Sequence, residues 1–515
     1  MEKNEKDELQ SKHWMEILAQ QVMSSKKEPF VITGGMTTSG PAHLGTICEF
    51  LYPAVLRETL QTMGKKVEMY FFGDILDAFD GIPYEMLKYE SVLKPELGKP
   101  LAYTKDPLGC HKSFGEHYLD QAKALMKKLS LDINVIPMDE LYNSAKMDQY
   151  ARLFFENEDK AKEIVARTSM KKVEELKEWS PIMPICEKCG KIATTRVTWH
   201  NSDEYEYVCD RKIEYTQGCG YKGRAKLGDH RYKLQWRLHW PAWQALFNSS
   251  VEGSGMDHMT RGGSATTAEA IHKEMLNREP PVLFKYGFVL IGGKKYSKSK
   301  GIGMSALELS ELIPPQILKY ALIQPNIQQN KDIDPTGDKL ILLYNDVERI
   351  NSTDKPENRA DEKKIMAFRV AIKKLPWKSS FVDMLLNYQI FRDWKKVGEV
   401  LNDPKGVDYL SPYIEKWLAK GYAPERYNFS IKQTKIGSNA DAVKDFASRL
   451  EPGMKDVEIH NLVYEVAKDN KIDSEQLFNS LYTALIGKEK GPRLGKLVAS
   501  IGVEKAKDML AFATS

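Results

Sequence analysis

The stretch Thr33-Gly34-Gly35-Met36-Thr37-Thr38-Ser39-Gly40-Pro41-Ala42-His43-Leu44-Gly45 constrains this chain more than any other. It follows a short apolar run, Pro29-Phe30-Val31-Ile32, and opens an apolar pattern of helical spacing at Ile47, Phe50, Leu51, Val55 and Leu56. That order reads as strand, glycine-rich turn and helix, the opening of an α/β sheet. Glycines tolerate positive φ and carry no Cβ, so the backbone can approach a phosphate or an adenine ring, and the helix N-terminus behind the turn favours negative charge. His43 stands at the mouth of that helix. Taken alone, the turn reads either as a nucleotide cradle or as an ordinary strand-to-helix loop.

Its counterpart comes much later, at Gly292-Gly293-Lys294-Lys295-Tyr296-Ser297-Lys298-Ser299-Lys300-Gly301-Ile302-Gly303, after the apolar run Val282 to Ile291. A lysine-serine-lysine loop between glycines is the cationic lid that phosphoryl chemistry uses; most lysine runs are simply solvated loops. Together, P-x-H-x-G after a first strand and K-x-S-K-S late in an α/β domain resemble the two ATP-binding motifs of class I aminoacyl-tRNA synthetases.

The 515 residues are enough for roughly three domains and more than one core. A net charge of +4 leaves any nucleic-acid contact to local patches. The charged start, Met1-Glu2-Lys3-Asn4-Glu5-Lys6-Asp7, lacks the apolar core of a secretory signal, and no run reaches the roughly 18 to 20 apolar residues of a membrane span. These features lead us to expect a cytoplasmic protein without a membrane partner. Six cysteines in a chain of this length, four of them grouped, point to reduced thiols and metal rather than to a disulfide framework.

Residues 8 to 25 space Trp14, Ile17, Leu18, Val22 and Met23 as one helical face, so a helix precedes the first strand. Val67-Glu68-Met69-Tyr70-Phe71-Phe72 reads as a second strand of a parallel sheet. The aspartates after it, Asp74, Asp77 and Asp80, fall at the carboxyl edge, where open α/β folds bind ligands and where turns and helix caps also recruit aspartate. Asp106, Cys110, His111 and His117 gather four potential metal ligands within one short segment, enough for a closed tetrahedral zinc shell; a free cysteine beside solvated histidines is the other reading. From about 120 to 180 the chain reads as charged helix. Cys186-x-x-Cys189-Gly190, followed by Cys209 and Cys219, is a zinc-ribbon pattern with an extended second knuckle, or a ribbon that has lost its metal. Trp236, Trp240 and Trp243 crowd near Gly255-Met256-Asp257-His258 and Arg261-Gly262-Gly263-Ser264, as core or as the wall of a pocket. After Pro314 the periodicity is helical throughout, broken by a polar linker at 351–364, and Ile486 to Lys496 reads as a turn between helices.

In this order the landmarks resemble class I lysyl-tRNA synthetases over nearly the whole chain. The resemblance rests on Thr37 to Gly45, the Asp106 cluster, the cysteine ribbon, Trp236-Arg237-x-x-Trp240, Gly255-x-Asp257-His258 with Gly262-Gly263-Ser264, the lysine-serine loop, and Leu485-Ile486-Gly487-Lys488-Glu489-Lys490-Gly491-Pro492-Arg493. Thr46, Tyr296 and Asp80 depart from the residues usual in that family. The resemblance implies a Rossmann-type, doubly wound parallel-sheet catalytic domain with a zinc-containing insertion, followed by an all-α anticodon-binding domain. Its parts would be the two catalytic halves, 1–105 and 231–301, a connective insertion at 106–230, a stem-contact fold at 302–350 and the helical anticodon domain at 351–515.

Implied too are lysine activation by ATP with Mg2+, transfer to the acceptor end of lysine tRNA, and two structural zinc ions. His43, Lys295 and Lys298 would be catalytic. Gly40, Pro41, His43, Gly45, Asp257, Ser297, Lys298 and Ser299 would hold ATP. Gly35, Thr37, Trp236 and His258 would hold lysine, with Asp74 and Asp77 the nearest carboxylates for its ε-ammonium. Zinc would sit at Asp106, Cys110, His111 and His117, and at Cys186, Cys189, Cys209 and Cys219. Another class I specificity (glutamyl, cysteinyl or arginyl) and a non-catalytic tRNA-binding relative are the alternatives.

Overall fold

The computed structural model describes residues 12–295 and 304–515. The chain divides into two compact units. One runs up to Ser310 and includes Leu318–Ile333 and Pro356–Ile372; the other comprises Glu311–Ile317, Asp334–Lys355 and Lys373–Ser515.

The first unit is built on five parallel strands: β1 (Phe30–Met36), β2 (Val67–Gly73), β3 (Val135–Pro137), β4 (Val251–Gly255) and β5 (Val282–Tyr286). Their order is β5-β4-β1-β2-β3. The chain winds outward from β1 to β3 and then returns to the other side of β1, so the winding reverses between β1 and β4. In open α/β sheets the crevice at such a reversal, beyond the strands' carboxyl ends, is where ligands bind. This is the Rossmann-type doubly wound sheet expected from the sequence. All of β1 but Gly35 is buried, as a strand covered on both faces requires. Helix α1 (Trp14–Ser25) precedes β1 and buries Trp14, Leu18 and Val22, whereas Ile17, read from the spacing as part of that face, is 37% exposed. Helix α2 (Leu44–Thr62) returns from β1.

Two short strands escape the sequence pattern. β3 lies inside the stretch read as charged helix; three residues are too few to show an alternation. Lys331–Asp332 pairs in parallel with Val289–Ile291, although no strand is legible after Pro314. Between β3 and β4 lie the helices Asp148–Glu156 and Glu158–Thr168 and an antiparallel sheet of Thr195–His200, Glu204–Cys209 and Lys222–Lys226. The chain returns to the main sheet through Tyr232–Leu234, which pairs with Ile182–Pro184.

In the second unit every element of the described residues is helical, from Asp338–Asn351 to Val503–Ala513, around a core that includes Val443, Phe446, Val463, Leu481 and Leu510. Ile486 ends one of these helices and Leu494–Ile501 forms the next, so the expected turn is present. The polar stretch 351–364 is shorter as a linker than it reads, because Asn358 caps the helix Arg359–Ala371 by accepting the Ala360 and Asp361 N–H groups.

Gly253 in β4 is forced by close packing, since a Cβ there would lie 2.3 Å from Cζ of the buried Phe284 ring on β5. We expect Gly253→Ala to destabilise this unit by about 1–3 kcal/mol, as overpacking of a core does, and Phe284→Leu to recover part of the loss. Thermal unfolding of the single and double variants checks this; an unchanged midpoint in Gly253→Ala contradicts the packing account.

Candidate active site

The turn after β1 is shaped by its histidine. His43 caps α2 through its ring: Nδ1 accepts the Thr46 N–H at 3.3 Å while the His43 N–H donates to the Thr46 hydroxyl at 3.3 Å. Thr46, which departs from the family's usual residue, thus completes a reciprocal cap. Because Nδ1 accepts, a neutral ring carries its proton on Nε2. Burial pushes the imidazole down to about 4, so it is neutral near pH 7. A Cβ on Gly45 would lie 2.8 Å from His43 Cε1, which explains the glycine two residues on. Thr38, Ser39, Gly40, Pro41 and His43 line a cavity of about 280 Å³. Thr38 ties the turn to the helix Phe114–Lys128, here α3, by donating to the Gly115 carbonyl at 3.0 Å.

The second motif flanks this turn. Lys294–Lys295 pairs with Val289–Ile291, and after the lysine-serine loop the Ala306 N–H donates to the Ala42 carbonyl at 2.8 Å. Ser297, Lys298 and Ser299 lie outside the described residues. Asp257 is exposed on a single turn, Met256–Met259, that follows the carboxyl end of β4.

A second cavity, of about 330 Å³, shares Met36 and Thr37 with the first. Gly35, Thr37, Asp74, Asp77, Trp236 and His258, six residues chosen from the sequence, all line it. Its aromatic wall is α4 (Trp236–Leu246): Trp236 stacks on Trp240 at 5.7 Å and meets Trp243 edge-on at 5.5 Å. Ser264 sets two of the lining rings, accepting from Trp236 Nε1 at 2.9 Å and lying 2.9 Å from His258 Nδ1. Arg237 points the other way and donates to the Gly262 and Gly263 carbonyls and the Thr267 hydroxyl, linking the Trp-Arg and Gly-Gly-Ser segments.

The two aspartates already have a partner. Lys233, with no exposed side-chain surface, donates to Asp74 at 2.7 Å and to Asp77, and Asp77 accepts from the Thr37 hydroxyl at 2.6 Å. Burial alone would push the Lys233 ammonium down, but the two carboxylates more than offset it. His239, beside Asp74 at 3.6 Å, is held far below its ordinary range by burial and by Lys233.

Two further carboxylates line the cavity, and sequence reasoning passed over both. Glu252 in β4 is 2% exposed and accepts from Thr33 at 2.8 Å, from Gln244 at 2.7 Å and from Trp243 Nε1 at 3.2 Å. Glu49 comes from α2; burial pushes its carboxyl up to about 7, with Glu252 adding repulsion. The signal for Glu252 was a lone charge inside a buried strand, Val-Glu-Gly-Ser-Gly; Glu49 sits among Ile47, Cys48, Phe50 and Leu51. Neither has a cationic side chain in contact among the described residues.

Both sets of candidate metal ligands converge. In the first, Cys110 Sγ lies 3.3 Å from Asp106, 3.1 Å from His111 Nδ1 and 3.3 Å from His117 Nδ1. These are near the edges of a tetrahedron around an ion with bonds of roughly 2.0 to 2.3 Å. Asp120 and Gln121 orient the outer nitrogens of His111 and His117. In the second, Cys186 faces Cys219 and Cys189 faces Cys209, each pair at 3.7 Å. The long gap between Cys209 and Cys219 holds a small hairpin, Lys212–Ile213 with Thr216–Gln217, and the Gly220 N–H still returns to the Cys209 carbonyl.

Known proteins resemble this chain over nearly its whole length. The family model for tRNA synthetases class I (K) matches residues 12–373, and a model for an anticodon binding domain matches 412–513. A lysine–tRNA ligase of Archaeoglobus fulgidus is 30% identical over 97% of this chain and all of its own length. Lysine–tRNA ligases of Thermoplasma acidophilum and Pyrococcus horikoshii are each 29% identical, over 94% and 95% of this chain and 96% and 97% of theirs. Since the first match runs from α1 through the sheet and both cavities, the chain belongs to the class I (K) tRNA synthetases.

Proposed function

We propose that this chain activates L-lysine with ATP and transfers it to lysine tRNA. One observation carries the reading: the cavity beside the turn is lined by three indoles and four carboxyl groups, and only two of the four share the buried Lys233. Such a site favours a ligand with an apolar stem and a positive end. The names of the relatives support the same substrate.

In the first step a carboxylate oxygen of lysine attacks the α-phosphorus of ATP, the bond to the bridging oxygen breaks, and pyrophosphate leaves. In the second, the terminal adenosine 2′-hydroxyl attacks the lysyl carbonyl and AMP leaves. Neither step needs a protein nucleophile; the protein supplies alignment and compensates the charge that develops on the phosphate oxygens. Met36 and Thr37, shared by both cavities, mark where carboxylate and α-phosphate meet. His43 acts as a neutral donor through Nε2. Lys298, with Lys295, brings positive charge. Ser297, Ser299, Gly40 and Pro41 contact ATP, Gly45 gives the adenine access, and Asp257 takes ribose hydroxyls. Gly35, Thr37, Trp236 and His258 surround lysine. Mg2+ bound to ATP would shield its phosphates.

The Asp106 and Cys186 clusters fit two structural zinc ions. Residues 1–105 and 231–301 serve as catalytic halves, 106–230 as the connective insertion, 302–350 as the stem contact and 351–515 as the anticodon reader, the last supported by the match at 412–513. No helix among the described residues is long and apolar enough to cross a membrane, and we assign the reaction to the cytoplasm.

Pyrophosphate exchange into ATP, run with single amino acids, tests the activity. Lysine should drive it; exchange driven by glutamate, arginine or cysteine instead would move the chain to another specificity, and none at all would make it a non-catalytic tRNA binder. Lys298→Ala and His43→Ala should each slow lysine-driven exchange by about 10²- to 10³-fold, the loss typical of one preorganised donor, and an unchanged rate removes that residue from the mechanism. Metal analysis should find about two zinc ions per chain, with Cys186→Ser and Cys110→Ser each losing a different one. A full zinc content in Cys110→Ser would make the Asp106 cluster an ordinary loop.

A further inference from the structure

We propose that Glu252, with Glu49 beside it, is the acceptor for the side-chain ammonium of the substrate, and that Asp74 and Asp77, which share Lys233, brace the Thr37 end of the cavity instead. This rests on the reading of the cavity as an amino-acid site. It replaces the sequence-based choice of Asp74 and Asp77 for the ε-ammonium.

The first argument is charge. Asp74 and Asp77 share the buried Lys233 ammonium, so a second ammonium brought to the same oxygens would face a cation that no solvent screens. Glu252 offers the reverse. Its oxygens take hydrogen bonds from a hydroxyl, an amide and an indole, all uncharged; burial raises its pKa more than these donors lower it, so an arriving ammonium is what favours the ionised form. Those donors hold the charge in place without cancelling it. Glu49 adds a second carboxyl group to the same cavity, and the two raise each other's affinity for a proton or for any other cation.

The second argument is position. Reaction with ATP requires the substrate's α-carboxylate to lie where the two cavities meet, at Met36 and Thr37. Asp77 is hydrogen-bonded to Thr37 itself, so the Asp77 group belongs to this end. Glu252 is the register partner of Thr33, four residues back along β1, or about 13 Å of extended strand. With the carboxylate of a long diamino acid at Thr37, its side-chain ammonium would therefore lie toward Glu252 rather than toward the Asp77 group. Trp243 both walls the cavity and donates to Glu252, which couples the surface along the stem to the acceptor at its tip.

The test compares lysine with norleucine, which is lysine without its ε-ammonium. Lysine-driven exchange in the native chain tests the activity; the ratio of kcat/KM for lysine over norleucine tests the acceptor. Glu252→Gln keeps the shape and removes the charge; its amide oxygen can still accept from Thr33 and Gln244, while its NH2 replaces the oxygen that accepts from Trp243. It should raise KM for lysine 10- to 100-fold, change KM for ATP little, and collapse the lysine-to-norleucine ratio by a similar factor. Glu49→Gln should move the ratio in the same direction by less, and it provides the measurement should Glu252→Gln fail to fold. Asp74→Asn and Asp77→Asn should slow both amino acids alike and leave the ratio near its native value. A ratio that survives both glutamine variants, or one that collapses in Asp74→Asn or Asp77→Asn, overturns the assignment.

Discussion

A lysine ammonium with no exposed surface persists in a fold only beside compensating charge, because its desolvation costs several kcal/mol. Lys233 is such a group, and the site is organised by how it is compensated. Asp74 follows the last residue of β2, Asp77 holds Thr37 of the signature turn, and Lys233 belongs to the strand by which the insertion returns to the sheet. The ion cluster therefore fixes three distant segments against one another. Trp236 starts α4 three residues after Lys233, so the orientation of the aromatic wall depends on the same anchor. Buried ion pairs add little net stability but penalise misregistered alternatives, a role suited to joining a long insertion to a sheet.

The two cavities divide the electrostatic work. None of the described residues lining the turn cavity is a lysine or arginine, and its histidine is neutral, so the turn supplies shape and hydrogen-bond donors. Positive charge for the phosphates has to arrive from the second motif, whose flank is tied to Ala42 in the middle of the turn. The neighbouring cavity is lined by four carboxyl groups and no cationic side chain among the described residues. In the proposed reaction amino acid and nucleotide would meet at Met36 and Thr37, the residues that the two cavities share, on a boundary between opposite demands.

What the sequence made legible was local. The strand-turn-helix at β1, the second strand, the helix before them and the cysteine knuckles are each specified by residues a few positions apart. Both ligand sets proposed for zinc were readable for that reason, and so were six of the residues that line the second cavity. The carboxylate partners were not readable. Asp74 and Asp77 sit at the correct edge, yet their saturation by Lys233 depends on a contact across more than 150 residues. Glu252 looks like an intrusion in a buried strand until Thr33, Gln244 and Trp243 are seen around it. Ser264, which sets Trp236 and His258, reads as one more small residue after two glycines. Very short strands such as β3 carry no period to detect, and Ile17 shows that an apolar residue at helical spacing can still face solvent.

The most direct measurement is a crystal structure of the full chain with L-lysine bound. The account predicts that the ε-ammonium lies within about 3 Å of Glu252, as a charged hydrogen bond requires, with Lys233 still shared by Asp74 and Asp77. An ε-ammonium seated on Asp74 or Asp77, with Lys233 displaced, would contradict it.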